Sequence, residues 1–174
     1  MLDTRFAGLG ADNRWNEAGE PTFYLAGDLG VALAEYARHL REDVGFAGTP
    51  PVYEGAVYQV EVQLAAILDL RDTHVRSAIG LHGGVRRFFD REAARATARF
   101  LRRTTSAEGL LVPSVAFLDE PARWNLIVFL DKLPADVATF MTALLPGAWA
   151  SPPELAPRRV WVTGVTPARS YRSW

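Results

Sequence analysis

The side chains best equipped for chemistry in this sequence are basic. Residues 86–103 hold seven arginines against Asp90 and Glu92, and Arg91, Arg95, Arg99 and Arg102 recur at three- or four-residue spacing. On a helix that spacing puts them on one face, where guanidinium groups could hold nucleic-acid phosphates or an acidic partner. A solvated face with local pairs such as Glu92–Arg95 is the plainer reading and outweighs both. His39, His74 and His82 have no metal-ligand spacing, and the absence of cysteine removes thiolate sites, thiol nucleophiles and disulfides. Ser114 lies between Pro113 and Val115, so it is no nucleophile elbow, and Gly8-Leu9-Gly10 lacks the third glycine of a dinucleotide fingerprint.

Other polar residues have ordinary roles as their first reading. Glu35, one helical turn from His39, would make a surface ion pair. Arg14 would pair within its loop, Trp15 and Tyr24 would pack in the core or across strands, and Ser114 would turn the chain. Asn125, inside an apolar strand, is equally a buried structural residue or a pocket residue.

The elements that must position these groups follow from periodicity. Thr22–Ala26 is a short strand, and Asp28 is an N-cap for a helix from Leu29 to about Arg41 with Leu29, Ala32, Leu33, Tyr36 and Leu40 inward. Tyr58 to Leu64 alternates as a half-buried strand. Arg86 to Arg103 is helical, with Phe89, Ala93, Ala96 and Phe100 inward. Leu110–Val112 and Trp124–Leu130 are strands, Asp136–Leu145 a helix, and Arg159–Val162 a last strand after a proline-rich link. The 174 residues, 49% hydrophobic and 22% charged, suit one α+β domain, a mixed sheet flanked by helices, spanning 1–174. No apolar run reaches the roughly 18–20 residues of a membrane span, and no secretory signal opens the chain, which makes the cytoplasm the expected location. The net charge of −1 conceals a split: residues 1–62 carry ten acids and four bases, residues 63–174 ten acids and fifteen bases.

Five stretches, in order, resemble the RES-domain family, toxins of bacterial toxin–antitoxin pairs. They are Arg5-Phe6; the run from Arg14-Trp15-Asn16 through its Gly19 turn to Tyr24-Leu25-Ala26; Ala32-Leu33-Ala34-Glu35; Gly109-Leu110-Leu111-Val112-Pro113-Ser114; and Asn125-Leu126-Ile127-Val128-Phe129. They cover about residues 5–130, leaving 131–174 as a C-terminal helix and strand extension. The chain departs from the family pattern at Asn13, Thr73 and Ala116.

The resemblance implies a fold related to the ADP-ribosyltransferase toxins and consumption of NAD⁺ by cleavage of its nicotinamide–ribose bond. Hydrolysis and phosphorolysis are both open. NAD⁺ would be substrate, with no true cofactor and no metal. A cognate helix-turn-helix antitoxin of the Xre type is the implied partner, without membrane association or direct nucleic-acid binding outside that complex. Such cleavage passes through an oxocarbenium-like ribose, so it needs a diphosphate anchor, a wall for the nicotinamide and a negative charge near the sugar. Arg14, with Arg5, could anchor phosphate through guanidinium forks. Tyr24 could stack on the ring, Glu35 could stabilise developing positive charge, and Ser114 could add a hydrogen bond to substrate, with Asn125 a candidate pocket residue. Two rival functions remain: an ADP-ribosyltransferase acting on a protein, and a non-catalytic module that binds nucleic acid or a partner through Arg91–Arg102.

Overall fold

Seven strands form one sheet in the order β3-β4-β5-β1-β7-β2-β6 in the computed structural model, which describes residues 7, 12–43, 55–120, 122–144 and 159–167. The strands are β1 (Thr22–Ala26), β2 (Gly55–Gln63), β3 (Ile67–Asp69), β4 (Gly109–Pro113), β5 (Trp124–Phe129), β6 (Met141–Leu144) and β7 (Arg159–Pro167). Only β3 and β4 run parallel; the other pairings are antiparallel. With helices α1 (Leu29–Asp43), α2 (Thr73–Ala78) and α3 (Arg91–Thr104), the result is the mixed α+β domain that the element pattern implies.

β5 is the strand around which the site is built. It pairs with β1 on one side and β4 on the other, and Leu126 to Phe129 are fully buried. Burial on both faces is what an unbroken apolar run demands. Alternate residues separate into two cores. Ile127 and Phe129 join Trp15, Phe88, Leu101 and Val112 on one face, while Leu126 and Val128 join Leu25, Val60, Val62 and Met141 on the other. Trp124 lies flat against Gly27, where an added Cβ would stand 2.6 Å from the indole, so only glycine fits there.

Both long helices present different faces from those their largest apolar residues suggest. α1 is capped by Asp28, whose Oδ1 accepts from the Val31 amide at 2.9 Å. Val31 and Ala32 are buried but Leu33 is 49% exposed, so the inward line runs from Val31 to Glu35, one turn on. Around residue 90 the expected continuous helix is two pieces, a 3-10 turn (Val85–Phe89) and α3, because the Asp90 side chain caps the amides of Glu92 and Ala93 and restarts the chain. α3 buries Ala94, Thr97, Ala98, Leu101 and Arg102, leaving Phe89 and Phe100 each 54% exposed.

The arginine stripe is not a solvated face. Arg95 bonds the Asn13 carbonyl and pairs with Asp12, and Arg99 pairs with Glu17. Arg102, almost wholly buried, donates to Thr22 Oγ1 and Pro21 O, pairs with Glu20 and Asp131, and lies 4.4 Å over the Phe129 ring. The acidic early segment and the basic later one thus neutralise each other across α3. Downstream, the helix expected over Asp136–Leu145 is instead a short 3-10 turn (Val137–Thr139) followed by β6, which the edge of β2 recruits by pairing. Long-range pairing overrides local propensity there.

Candidate active site

Three of the residues singled out in the sequence meet at one point. Pro113 ends β4, and the Ser114 amide bonds the Arg123 carbonyl, turning the chain into a 3-10 turn over Val115–Phe117. The first amides of such a turn have no partner within it. Glu35 supplies one: its Oε1 accepts from the Val115 amide at 2.9 Å and the Ala116 amide at 3.4 Å. The same oxygen accepts from Ser114 Oγ at 2.7 Å and from Asn125 Nδ2 at 3.0 Å. Its other oxygen accepts from Arg38 Nε at 3.0 Å, with Arg38 Nη2 also at 3.0 Å.

Small residues make this convergence possible. Ala26 on β1 is directly opposite Asn125 on β5, and Ala26, Val31 and Ala32 pack together between sheet and helix. With no bulk at Ala26 or Ala32, α1 approaches closely enough for Glu35 to reach Ser114 and Asn125. Burial alone would raise the Glu35 pKa. The hydrogen bond from Ser114, the charge and hydrogen bond of Arg38 and the hydrogen bond from Asn125 outweigh it and hold the pKa below its ordinary value. Glu35 is therefore a fixed, partly buried carboxylate with side-chain exposure of 19%.

Tyr24 shares the sheet face of this cluster. In the β1–β5 register Tyr24 is opposite Ile127 and Ala26 opposite Asn125, which makes Tyr24 and Asn125 diagonal neighbours, about 7–8 Å apart in an antiparallel pair. The two ends of the tyrosine differ. Its hydroxyl donates to Asn16 Oδ1 at 2.7 Å and accepts from the Trp15 amide at 3.0 Å. Burial there raises the phenol pKa, and the Trp15 amide and the charges of Arg102, Arg95 and Arg14 offset only part of that rise. The residue nonetheless remains 38% exposed, so a sealed hydroxyl anchors an open ring.

Other site expectations change in detail. Arg14 is not an open guanidinium fork: it is 8% exposed, and its Nη1 donates to the carbonyls of Phe88 and Phe89 at 2.8 and 2.7 Å. Ser114 is fully buried, with its hydroxyl donated to Glu35, so it holds the carboxylate and is not placed to bond a substrate directly. Arg5 lies outside the described residues. Trp15 is core, 5.0 Å from Phe88 between ring centroids, as its ordinary reading has it.

Two contributors escaped the sequence reading. Arg38 stands three residues after Glu35, a spacing that signals an ion pair on any helix. Asn16, fully buried, locks the Tyr24 hydroxyl, and its place in the Arg-Trp-Asn run was the available hint. Among the described residues no three histidine, aspartate or glutamate side chains gather to hold a metal, and no helix is long and apolar enough to cross a membrane.

The sequence matches the model of the RES domain over residues 2–150. No curated protein matches it. Among solved structures it is similar to a chain in the crystal structure of the M. tuberculosis MbcT–MbcA toxin–antitoxin complex, with a TM-score of 0.56 and 20% identity over 83% of this chain and 79% of that one. At that identity the likeness extends to the fold.

Proposed function

Since the chain belongs to the RES-domain family, we propose that it is a toxin that consumes NAD⁺ by breaking the nicotinamide–ribose bond, restrained by a cognate antitoxin. The observation that carries this reading is the convergence of Ser114, Asn125 and two backbone amides on one oxygen of Glu35, on the sheet face that also presents the Tyr24 ring. A carboxylate so restrained is an oriented negative charge that needs no rearrangement as a reaction proceeds, which is the condition for electrostatic preorganisation.

In the proposed reaction the bond from the ribose anomeric carbon to the nicotinamide nitrogen breaks, and its electron pair leaves with neutral nicotinamide. The ribose carbon becomes oxocarbenium-like, and the ionised Glu35 stabilises that charge before water or phosphate closes the vacancy. Tyr24 stacks on the nicotinamide ring. Ser114, Asn125 and Arg38 act through Glu35 as positioning residues. Arg14 contributes positive charge beneath the site and ties down the turn that carries Phe88 and Phe89. The structural neighbour is a toxin–antitoxin complex, which supports an antitoxin as the partner of this chain. We place that antitoxin in the helix-turn-helix class and the activity in the cytoplasm, where NAD⁺ is abundant.

Purified protein incubated with NAD⁺, with and without phosphate, is expected to release nicotinamide, and Glu35→Gln to abolish release. Absence of release from the folded wild-type protein under both conditions refutes NAD⁺ hydrolysis and phosphorolysis. Release that requires an added protein acceptor would assign ADP-ribosyl transfer instead. An adjacent gene for a small helix-turn-helix protein that suppresses toxicity on co-expression tests the partner.

A further inference from the structure

Glu35 as it stands has no room for a ribose hydroxyl. A carboxylate offers about four acceptor positions, two on each oxygen. Oε1 is filled by Ser114 Oγ at 2.7 Å, the Val115 amide at 2.9 Å and Asn125 Nδ2 at 3.0 Å, with the Ala116 amide at 3.4 Å. Oε2 receives Arg38 Nε and Nη2, each at 3.0 Å. The two sets of donors are unlike in kind. The first comes from the turn after β4, where Ser114 is fully buried, and from β5 itself. The second sits at the end of one flexible side chain on the same helix as Glu35, with a side-chain exposure of 17%. A substrate can therefore free only Oε2, and only by drawing Arg38 away.

The pair is also electrostatically muted. A guanidinium in direct contact cancels most of the carboxylate's charge at the distance of a sugar carbon, so a developing cation would meet a dipole and not a net negative charge. Opening the pair restores that charge where the reaction needs it. Other arginines on this side of the sheet are committed to the protein. Arg14 donates to the Phe88 and Phe89 carbonyls, and Arg95, Arg99 and Arg102 pair with Asp12, Glu17 and Glu20. Arg38 already stands at the reacting end, with its fork on a group that the substrate has reason to displace.

We propose that Arg38 is a diphosphate anchor of this site and, by the same movement, unmasks Glu35. On NAD⁺ binding its guanidinium leaves Glu35 Oε2 for the diphosphate oxygens, and Oε2 then accepts a hydrogen bond donated by a ribose hydroxyl. A doubly charged diphosphate competes well with a single carboxylate for the fork, because it binds in the same bidentate way and carries more charge. That difference in affinity is what lets the ligand open the pair. Binding at the remote diphosphate is thereby converted into available charge at the reacting sugar. The rearrangement belongs to binding, so Glu35, still held through Oε1, stays fixed while the bond breaks. This assignment rests on the proposed NAD⁺ chemistry.

Arg38→Gln and Arg38→Lys, both good helix formers, test it in the purified full chain, with thermal melts to verify folding. ADP-ribose, which carries the diphosphate and lacks nicotinamide, is the binding probe, read by calorimetry. Loss of the charged bidentate contact should weaken its binding about 10–100-fold in Arg38→Gln, and about 3–10-fold in Arg38→Lys, which keeps the charge but not the fork. In turnover, the ratio of kcat/KM for NAD⁺ to that for nicotinamide riboside, which has no diphosphate, should fall by about tenfold or more in Arg38→Gln. A residue that merely holds Glu35 would slow both substrates alike and leave that ratio where it was. An unaltered ratio overturns the proposal, as does ADP-ribose binding within about twofold of wild type by either folded variant, or no ADP-ribose binding by wild type. A wild-type chain that binds ADP-ribose through Arg38 but releases no nicotinamide refutes the proposed chemistry and leaves the anchor standing. Nicotinamide release with an unaltered ratio does the reverse.

Discussion

Replacing Glu35 by glutamine keeps the shape of the side chain and removes its charge. The carbonyl oxygen of glutamine can still accept from Ser114, Asn125 and the Val115 amide, but as neutral hydrogen bonds of roughly half the strength of charge-assisted ones. At the other end a glutamine NH₂ would face Arg38 Nε and Nη2, both donors, where the carboxylate now accepts at 3.0 Å. Loss of one charged interaction plus weakening of the others amounts to about 2–3 kcal/mol of stability near neutral pH. For a chain of this length that is a fall in Tm of about 4–12 °C. The loss must also depend on pH in a defined direction. Glu35 titrates below its ordinary value of 4.5 in the folded chain, so its ionised form contributes stability that is fully present above that value and disappears as pH falls through the folded pKa. Wild type and Glu35→Gln should therefore differ most near pH 7, and the difference should shrink as pH falls below 4.5 through the folded pKa, as read by urea unfolding at a series of pH values. In the same variant, nicotinamide release should fall by about 10²–10³-fold or more. Equal stability at neutral pH, or a difference that does not shrink in acid, refutes the description of Glu35 as a charged and restrained group.

Further outcomes follow from other contacts. Tyr24→Phe leaves the Trp15 amide and Asn16 Oδ1 without their shared partner, so it should cost about 1–3 kcal/mol in urea unfolding. Because the ring remains, it should impair NAD⁺ binding less than Tyr24→Ala, measured as KM. Gly27→Ala drives a methyl into the Trp124 indole and should destabilise by about 1–3 kcal/mol, with recovery when Trp124 is also reduced to leucine. Arg102→Met strands Glu20 and Asp131 beside the core and should cost about 3–5 kcal/mol, with little relief from added salt. Arg86→Ala, which breaks an exposed pair with Asp119, should change stability by no more than about 0.5 kcal/mol in the same assay.

The strands of the site were legible because their signal is local. β1 and β5 stand out as apolar runs, and the pairing of Ala26 with Asn125 merely brings together two segments that each look like strands alone. Glu35, Ser114 and Asn125 were legible as a set only through the family resemblance, since their contacts span 79 and 90 residues of sequence. The faces of α1 and α3 were misread for one reason. Leu33, Phe89 and Phe100 dominate an apolar count, yet Val31, Ala94 and Ala98 are buried beside the expected Ala32, and their small size permits close packing. Arg102 could not be recognised as buried from its neighbours, because the acids that neutralise it lie far away along the chain. The segment after Asp136 reads as helix until β2 offers it an open edge.

The donors that clamp Glu35 also impose an order in time. Translation at about 5–20 residues per second delivers Asn125 roughly 5–18 s after Glu35, and β5 must reach its place between β1 and β4 before the clamp can close. Under the proposed activity, a nascent chain is harmless to the ribosome's own cytoplasm until Asn125 and the rest of β5 have been made. Under the proposed function, an antitoxin already present when β5 docks meets each molecule as its Glu35 clamp closes.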